Sequence, residues 1–413
     1  MKRLFLIAAL ALCFVLSGRC SYANEAKVVF GPQTYTRTTG GPNTFSGNFD
    51  VCDPTGTFTI TVNNGDANGN NRISSGTISI NGLAVVQQSD FNQNVATITK
   101  PVYGIGKTGN VINVKLQSDP GSEITVTVSG IMHCLEVHIT SPANGSTMSD
   151  YSSIIRGTVD DQPGAEIGVT VNGIPAEVNG KNFAVLDVPL QAGQNTITAN
   201  AVDDSGETAQ DIANVTLLNP PTSPVYLTPT PSEGQAPLSV SFSVDDTIPA
   251  AKTLYEIDYE GDGIIDASAQ TPDALFATPH VYSTNGLYFP TVTITNANGN
   301  TYSKTAIVNV APLPDLKAKW NNMAADLNSG DISSAVQYLS LGTRDSYQKH
   351  LQALKDAGVL AQVVAGMGDM EITKTMGNAA EGDMRVVNQD GKEYSFYVLF
   401  VKDLDGIWRI QSF

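Results

Sequence analysis

The sequence predicts a multidomain, mainly β protein: three β-sandwich modules in tandem followed by one α+β, cone-like domain. Three observations predict it. The chain has 413 residues, more than one ordinary hydrophobic core accommodates, so the length implies several domains. Over roughly the first three quarters, short apolar alternations are punctuated by Gly-, Asn- and Pro-rich turns, the pattern of half-buried antiparallel strands. After Pro312 and Pro314 the apolar period lengthens to that of a helix, then returns to that of strands.

The chain opens with Lys2 and Arg3, an apolar run over 4–16 and the small-residue triplet Ser21-Tyr22-Ala23. That reads as a signal peptide, residues 1–23, cleaved before Asn24. The run is too short to span a bilayer comfortably, and no later segment reads as a transmembrane span. Cys20 follows Leu16, Ser17 and Gly18 as a lipidated cysteine would, but the charged Arg19 directly before it argues against lipidation. The expected destination is outside the cytoplasm: periplasm, cell surface or medium.

Removing residues 1–23 takes away Lys2, Arg3 and Arg19 and no acid, so the formal charge moves from −17 to −20. A field of that sign repels phosphate backbones, and nucleic acid is not an expected partner. Only 15% of residues are charged, which leaves a polar but weakly ionic surface, as exported β modules often have.

The first module, residues 24–134, alternates at 58–62, 77–80, 111–116 and 124–128, the signature of a sandwich. Loss of the leader removes Cys13 and Cys20 and leaves Cys52 and Cys134. Two thiols in an oxidising compartment read as one disulfide. A metal pair is the rival reading, but only His133 stands near either cysteine, and zinc normally takes three or four protein ligands.

A second module, residues 135–218, alternates at 137–139, 167–171, 184–188 and 196–201. It partly echoes the first. Ile80-Asn81-Gly82-Leu83 is matched by Val171-Asn172-Gly173-Ile174, and Gly109-Asn110-Val111-Ile112 by Gly193-Gln194-Asn195-Thr196-Ile197. In each, an apolar strand ends on an Asn-Gly turn and a later Gly-rich turn feeds another strand. From Ser141-Pro142-Ala143-Asn144-Gly145 through Gly157 to Ala201-Val202-Asp203, the module resembles bacterial immunoglobulin-like domains of exported proteins.

Residues 219–231 carry Pro220, Pro221, Pro224, Pro229 and Pro231 and read as a stiff linker. The third module, residues 232–311, contains the segment from Ala236-Pro237-Leu238 to Phe242, then Ile257-Asp258-Tyr259-Glu260-Gly261-Asp262-Gly263, His280-Val281-Tyr282, Gly286-Leu287-Tyr288 and Val292-Thr293-Ile294. In this spacing it resembles a polycystic kidney disease (PKD) domain. It departs from that pattern at Ile257, where an aromatic usually precedes the first Asp, and at the extra Glu260.

In the last domain, residues 315–413, Leu316, Trp320, Met323, Ala324 and Leu327 fall at helical spacing, as do Ala335, Tyr338 and Leu339, then Tyr347, Leu351 and Leu354. Asp331 is placed to cap the second helix. Strands follow at 384–387, 394–401 and 408–413. Helices before a strand meander imply α+β. With Gly330-Asp331-Ile332 and the ending from Val401 to Ile410, the order resembles the nuclear transport factor two-like (SnoaL-like) fold. That resemblance implies a curved sheet around helices, and a family in which some members are ketosteroid-isomerase-like enzymes that point acids and tyrosines into the cone. The residues of those types that would line a ligand pocket here are Tyr338, Tyr394 and Glu381. Residues 394–401 are apolar on both faces, so one face should take the helices and the other a cover: a second copy of the domain, hence self-association, or the third module.

No catalytic constellation is visible. The four histidines, 133, 138, 280 and 350, have neither metal spacing nor a nucleophile elbow beside them. Asp258, Glu260, Asp262 and Asp266 begin like a calcium loop, with Gly263 at the sixth place, but the twelfth place is Ala269 rather than a bidentate Glu. Either calcium or the ordinary turn chemistry of aspartate accounts for them, and no other cofactor is implied. The preferred function is a secreted or cell-surface, non-catalytic protein whose sandwiches act as spacers or recognition units for extracellular polysaccharide or protein. The alternative is a ligand-pocket protein or enzyme whose working part is the C-terminal domain.

Overall fold

The computed structural model describes residues 26–148, 154–218, 224–387 and 391–413. The expected signal peptide, and residues 219–223 of the proline-rich join, lie outside the described residues. The chain forms two compact units, one ending at His133 and the other beginning at Cys134.

The first unit is two four-stranded antiparallel sheets. One orders Lys27–Thr36, Glu123–Ile131, Thr57–Asn64 and Thr97–Val102; the other orders Asn43–Phe49, Asn110–Leu116, Gly76–Ile80 and Leu83–Val86. Strict alternation produces the core: Ile60, Val62, Ile78, Ile80, Ile112, Val114, Leu116, Ile124, Val126 and Val128 are fully buried while their neighbours face outward. Two buried asparagines tie loops to this core. Asn64 donates from Nδ2 to the carbonyls of Ile73 and Val95, at 3.0 and 2.9 Å, and accepts from the Ile73 N–H. Cys52 and Cys134 are disulfide-bonded.

The second sandwich pairs a sheet of Thr147–Met148, Thr208–Leu217, Gly193–Asp203, Ile167–Val171 and Ile174–Pro175 with one of Glu177–Asn179, Asn182–Val185, Ile155–Asp160 and Glu136–Ser141. The sequence echo has a structural basis. Asn81 and Asn172 both have positive φ, 51° and 48°, each followed by a left-handed glycine, as a tight hairpin turn requires. Each then accepts, through Oδ1, the N–H of a residue in the later strand: Val111 for Asn81, Thr198 for Asn172.

In the third sandwich the segment read as linker is corrected in part. Val225–Thr230 is a strand, paired along its length with Leu238–Asp246. Pro229 fits because the strand lies at the edge of its sheet, where a missing N–H costs no ladder bond. The proline content had pointed to irregular structure.

In the C-terminal domain, helices Leu316–Ser329, Ile332–Ala335, Arg344–Asp356 and Leu360–Ala365 precede an antiparallel meander of Met370–Met376, Ala379–Val387, Glu393–Lys402 and Trp408–Ser412. Asp331 caps as expected, accepting from the Ser334 N–H and the Ser333 and Ser334 hydroxyls, and these bonds hold its pKa down to about 2. The core between helices and sheet is filled by Trp320, Met323, Leu327, Met370, Phe400 and Ile410. Val398 and Phe400 face the helices as the alternation requires. Among the described residues the third module does not cover the outer part of the strand: Tyr394, Phe396 and Tyr397 are exposed, while its end, at Lys402, pairs with Glu177 and Glu233 of the sandwiches.

The three modules of the second unit pack on one another. Backbones of the second sandwich and the C-terminal domain meet at Gly168 and Gly406, where a Cβ on Gly168 would collide with the Asp405 carbonyl and one on Gly406 would lie 2.9 Å from the Gly168 Cα. Gly406 also needs its positive φ of 89°. The second and third sandwiches meet through Asn179, which donates to Asn309 Oδ1 and to the Val310 carbonyl at 2.9 and 2.8 Å. The Arg156 guanidinium lies 3.7 Å above the Phe289 ring, a cation–π contact.

Two stability predictions follow from these joints. Gly168→Val forces the two backbones apart and should destabilise the second unit by about 1–3 kcal/mol; an unchanged thermal midpoint would show that the close approach is not needed. Removing the disulfide with Cys52→Ser and Cys134→Ser should cost about 2–4 kcal/mol in chemical denaturation, and free thiols in the non-reduced protein would contradict the bond itself.

Candidate functional site

Where the three modules of the second unit meet they enclose a cavity of about 710 Å³, within the size range of ligand pockets. The second sandwich contributes Glu166, Asn179 and Asp204, the third Glu233 and Asn309, and the C-terminal domain Asp315, Lys319, Asn322, Tyr338, Lys402 and Trp408.

Two ion-pair groups frame it. Lys319, on the helix Leu316–Ser329, reaches Glu166 of the second sandwich at 2.6 Å with both side chains largely buried. The other Glu166 oxygen accepts the Trp408 N–H at 2.7 Å. Burial raises the Glu166 pKa, and Lys319 and the Trp408 N–H oppose that rise without cancelling it. Lys402 lies between Glu177 of the second sandwich and Glu233 of the third, at 3.2 and 3.3 Å. Burial acts to lower the Lys402 pKa, but the two carboxylates prevail and raise it. Burial raises the pKa of Glu233, and so does Glu177, because the two acids share one lysine. Asp204 is exposed at the mouth, but the surrounding wall desolvates its carboxylate and raises its pKa.

The residues proposed as a pocket in the C-terminal domain do not converge. Tyr338 lines the junction cavity. Tyr394 pairs with Val386 and Glu381 with Leu399, well apart along the same two strands, and neither lines the cavity. The domain's core side chains form one cluster, and Tyr338 packs against it while lining the junction cavity. The sequence reading missed Glu166, Lys319 and Lys402. Lys319 carries a weak signal, a charge adjoining the apolar stripe of Leu316, Trp320 and Met323; Lys402 directly ends an apolar strand.

Three of the four acids of the calcium-like loop approach one another: Asp258, Glu260 and Asp266 each bring one oxygen within 4.8 Å of the others. Asp262 instead accepts the Ile264 N–H. Asp258 is buried, and its carboxylate accepts from the N–H groups of Gly261, Asp262 and Gly263, while Asp266 accepts from Tyr259. Glu260 lies 3.3 Å from His280 Nε2. Turn donors therefore engage much of the oxygen set that a calcium shell of six to eight ligands would need.

Residues 135–218 match the family described as glucodextranase, domain B. No curated protein matches the chain in sequence. Among solved structures, it is similar to fibronectin(III)-like modules of Clostridium thermocellum CbhA, with 12% identity, 42% of this chain and 94% of that one covered, and a TM-score of 0.17. It is similar also to a putative NTF2-like transpeptidase from Campylobacter jejuni, with 22% identity, 24% and 99% covered, and a TM-score of 0.18. A third is Bacteroides ovatus SGBP-B in complex with a mixed-linkage heptasaccharide, with 15% identity, 43% and 47% covered, and a TM-score of 0.16. Scores this low leave function to be argued from the chain's own residues.

In the second sandwich, Asp161 lies within reach of the charges of Asp203 and Glu207. Burial and these acids raise its pKa to about 6 against the backbone bond from Gln162. A raised folded-state pKa adds stability that is complete below the unfolded value and is lost as pH rises through about 6. Asp161→Asn mimics the protonated acid, so the variant should melt above the wild type at pH ~8 and match it at pH ~4. Equal melting temperatures at both pH values would show that Asp161 is ordinary.

Proposed function

We propose that the protein is an exported, non-catalytic recognition protein for polysaccharide, working outside the cytoplasm. On this reading the first module is a sandwich spacer, the second an immunoglobulin-like module, the third PKD-like and the last nuclear transport factor two-like. The observation that carries it is the place of the cavity. It lies between modules, and its wall sets Asn179, Asn322, Asp204 and Tyr338 among apolar residues such as Ile167, Val178 and Leu313. Ligand sites combine apolar and aromatic surface with a few placed polar groups, and carboxylates, amides and a phenol are the types that hydrogen-bond hydroxyls. The match of residues 135–218 to a domain of a glucodextranase supports the same direction.

The enzyme reading, with the C-terminal domain as the working part, is less well supported because Tyr338, Tyr394 and Glu381 do not share a pocket. Retention of the mature full-length protein on a panel of insoluble polysaccharides tests the proposal. We expect retention on at least one, release by its soluble oligosaccharide, and no turnover of that oligosaccharide. Failure to be retained on any, or cleavage of the bound sugar, would overturn it.

A further inference from the structure

We propose that the junction cavity is the glycan site and that it selects an amine-bearing oligosaccharide, one built from hexosamine units with free amino groups. The inference rests on the polysaccharide reading above and adds both the place and the chemistry.

The first support is charge. Four carboxylates line the cavity, Glu166, Asp204, Glu233 and Asp315, against two lysines, Lys319 and Lys402. Both lysines are already bonded to carboxylates, Lys319 to Glu166 and Lys402 to Glu177 and Glu233. Neither has charge to spare for an anionic ligand, so a uronic or sulfated sugar would enter a field of its own sign. Asp315 is occupied in capping its helix, accepting the Ala318 N–H at 2.8 Å. That leaves Asp204 at the mouth. Lys319 acts on it only through space, and it forms no salt bridge among the described residues. An ammonium group placed there would gain a charge-assisted hydrogen bond in a partly desolvated setting, where such a bond is stronger than in water.

The second support is the rest of the lining. Tyr338 and Asn322 of the C-terminal domain line the cavity together with Asp204 of the second sandwich; burial raises the Tyr338 pKa, and the charges of Asp326 and Asp204 add to it. A phenol, a side-chain amide and a carboxylate in one cavity offer a sugar ring both an aromatic edge and acceptors for hydroxyls. The volume of about 710 Å³ suits a short run of sugar rings rather than a single ion.

Calorimetric titration of the mature full-length protein tests this with three soluble oligosaccharides of equal length: β-1,4-linked glucosamine, its fully N-acetylated counterpart and an oligouronate. The glucosamine oligomer should bind, the N-acetylated one about tenfold or more weaker, and the uronate not measurably. Asp204→Asn, which removes none of the ion pairs between modules, should weaken glucosamine binding about tenfold, and Tyr338→Phe should weaken it as well. Asp273→Asn, an exposed acid elsewhere on the third sandwich, should leave it unchanged. Equal binding of the acetylated oligomer, or equal losses for Asp204→Asn and Asp273→Asn, would overturn the inference by showing that the cavity's charge does not select. Binding of a neutral glucan without the amine oligomer would overturn the inference and leave the polysaccharide reading standing; binding of no glycan would remove both.

Discussion

Lys402 is a largely buried ammonium whose neutralising carboxylates, Glu177 and Glu233, come from two other modules. Removing such a charge from water costs several kcal/mol, recovered only where its partners are in place. The C-terminal domain alone would leave Lys402 at its surface without either acid, and the two sandwiches alone would leave their acids side by side. Compensation therefore requires all three modules together. Lys319 with Glu166 and the Trp408 N–H repeats the arrangement between the C-terminal domain and the second sandwich. Buried ion pairs add little net stability compared with apolar packing, but they penalise every arrangement that separates them. Their effect here is to specify one docking.

Several features depend on that docking. Gly168 and Gly406 can approach as they do only because neither carries a Cβ, so the ion pairs hold together surfaces already shaped to meet. Asn309, buried in the third sandwich, finds its acceptors in the second, at Glu177 and the Val178 carbonyl. The cavity exists because three convex modules held in a fixed arrangement leave a space between them. On this account the second and third sandwiches are walls of the candidate site, and the role of spacer does not describe them.

Within each module the fold was largely legible in the sequence, because alternation and turn chemistry act locally. The strands around Ile60, Ile112 and Val126 read directly from period two, Asn81-Gly82 and Asn172-Gly173 from the need for positive φ, and the cap at Asp331 from its place before an apolar helix. The proline-rich join misled because Pro229 sits in an edge strand, where proline is tolerated, and composition does not distinguish edge strand from linker. The candidate site was mostly illegible. Glu166 and Lys319 are 153 positions apart in the sequence, and nothing in the residues near either one signals the other. Tyr338 was singled out for its type, and the structure gives it a different setting from the one expected: it lines the junction cavity, which Tyr394 and Glu381 do not. The acids of the third sandwich were read as a cluster, and three do cluster, but backbone N–H groups of the same turn already bond to Asp258 and Asp266.

Scanning calorimetry of the full-length protein beside its Lys402→Met variant decides whether these three modules form one body held by largely buried charge. The account predicts that residues 134–413 unfold in a single cooperative transition in the wild type, and that the variant splits it into separate, lower-temperature transitions. Three independent transitions already present in the wild type, or a single one unchanged by Lys402→Met, would contradict it.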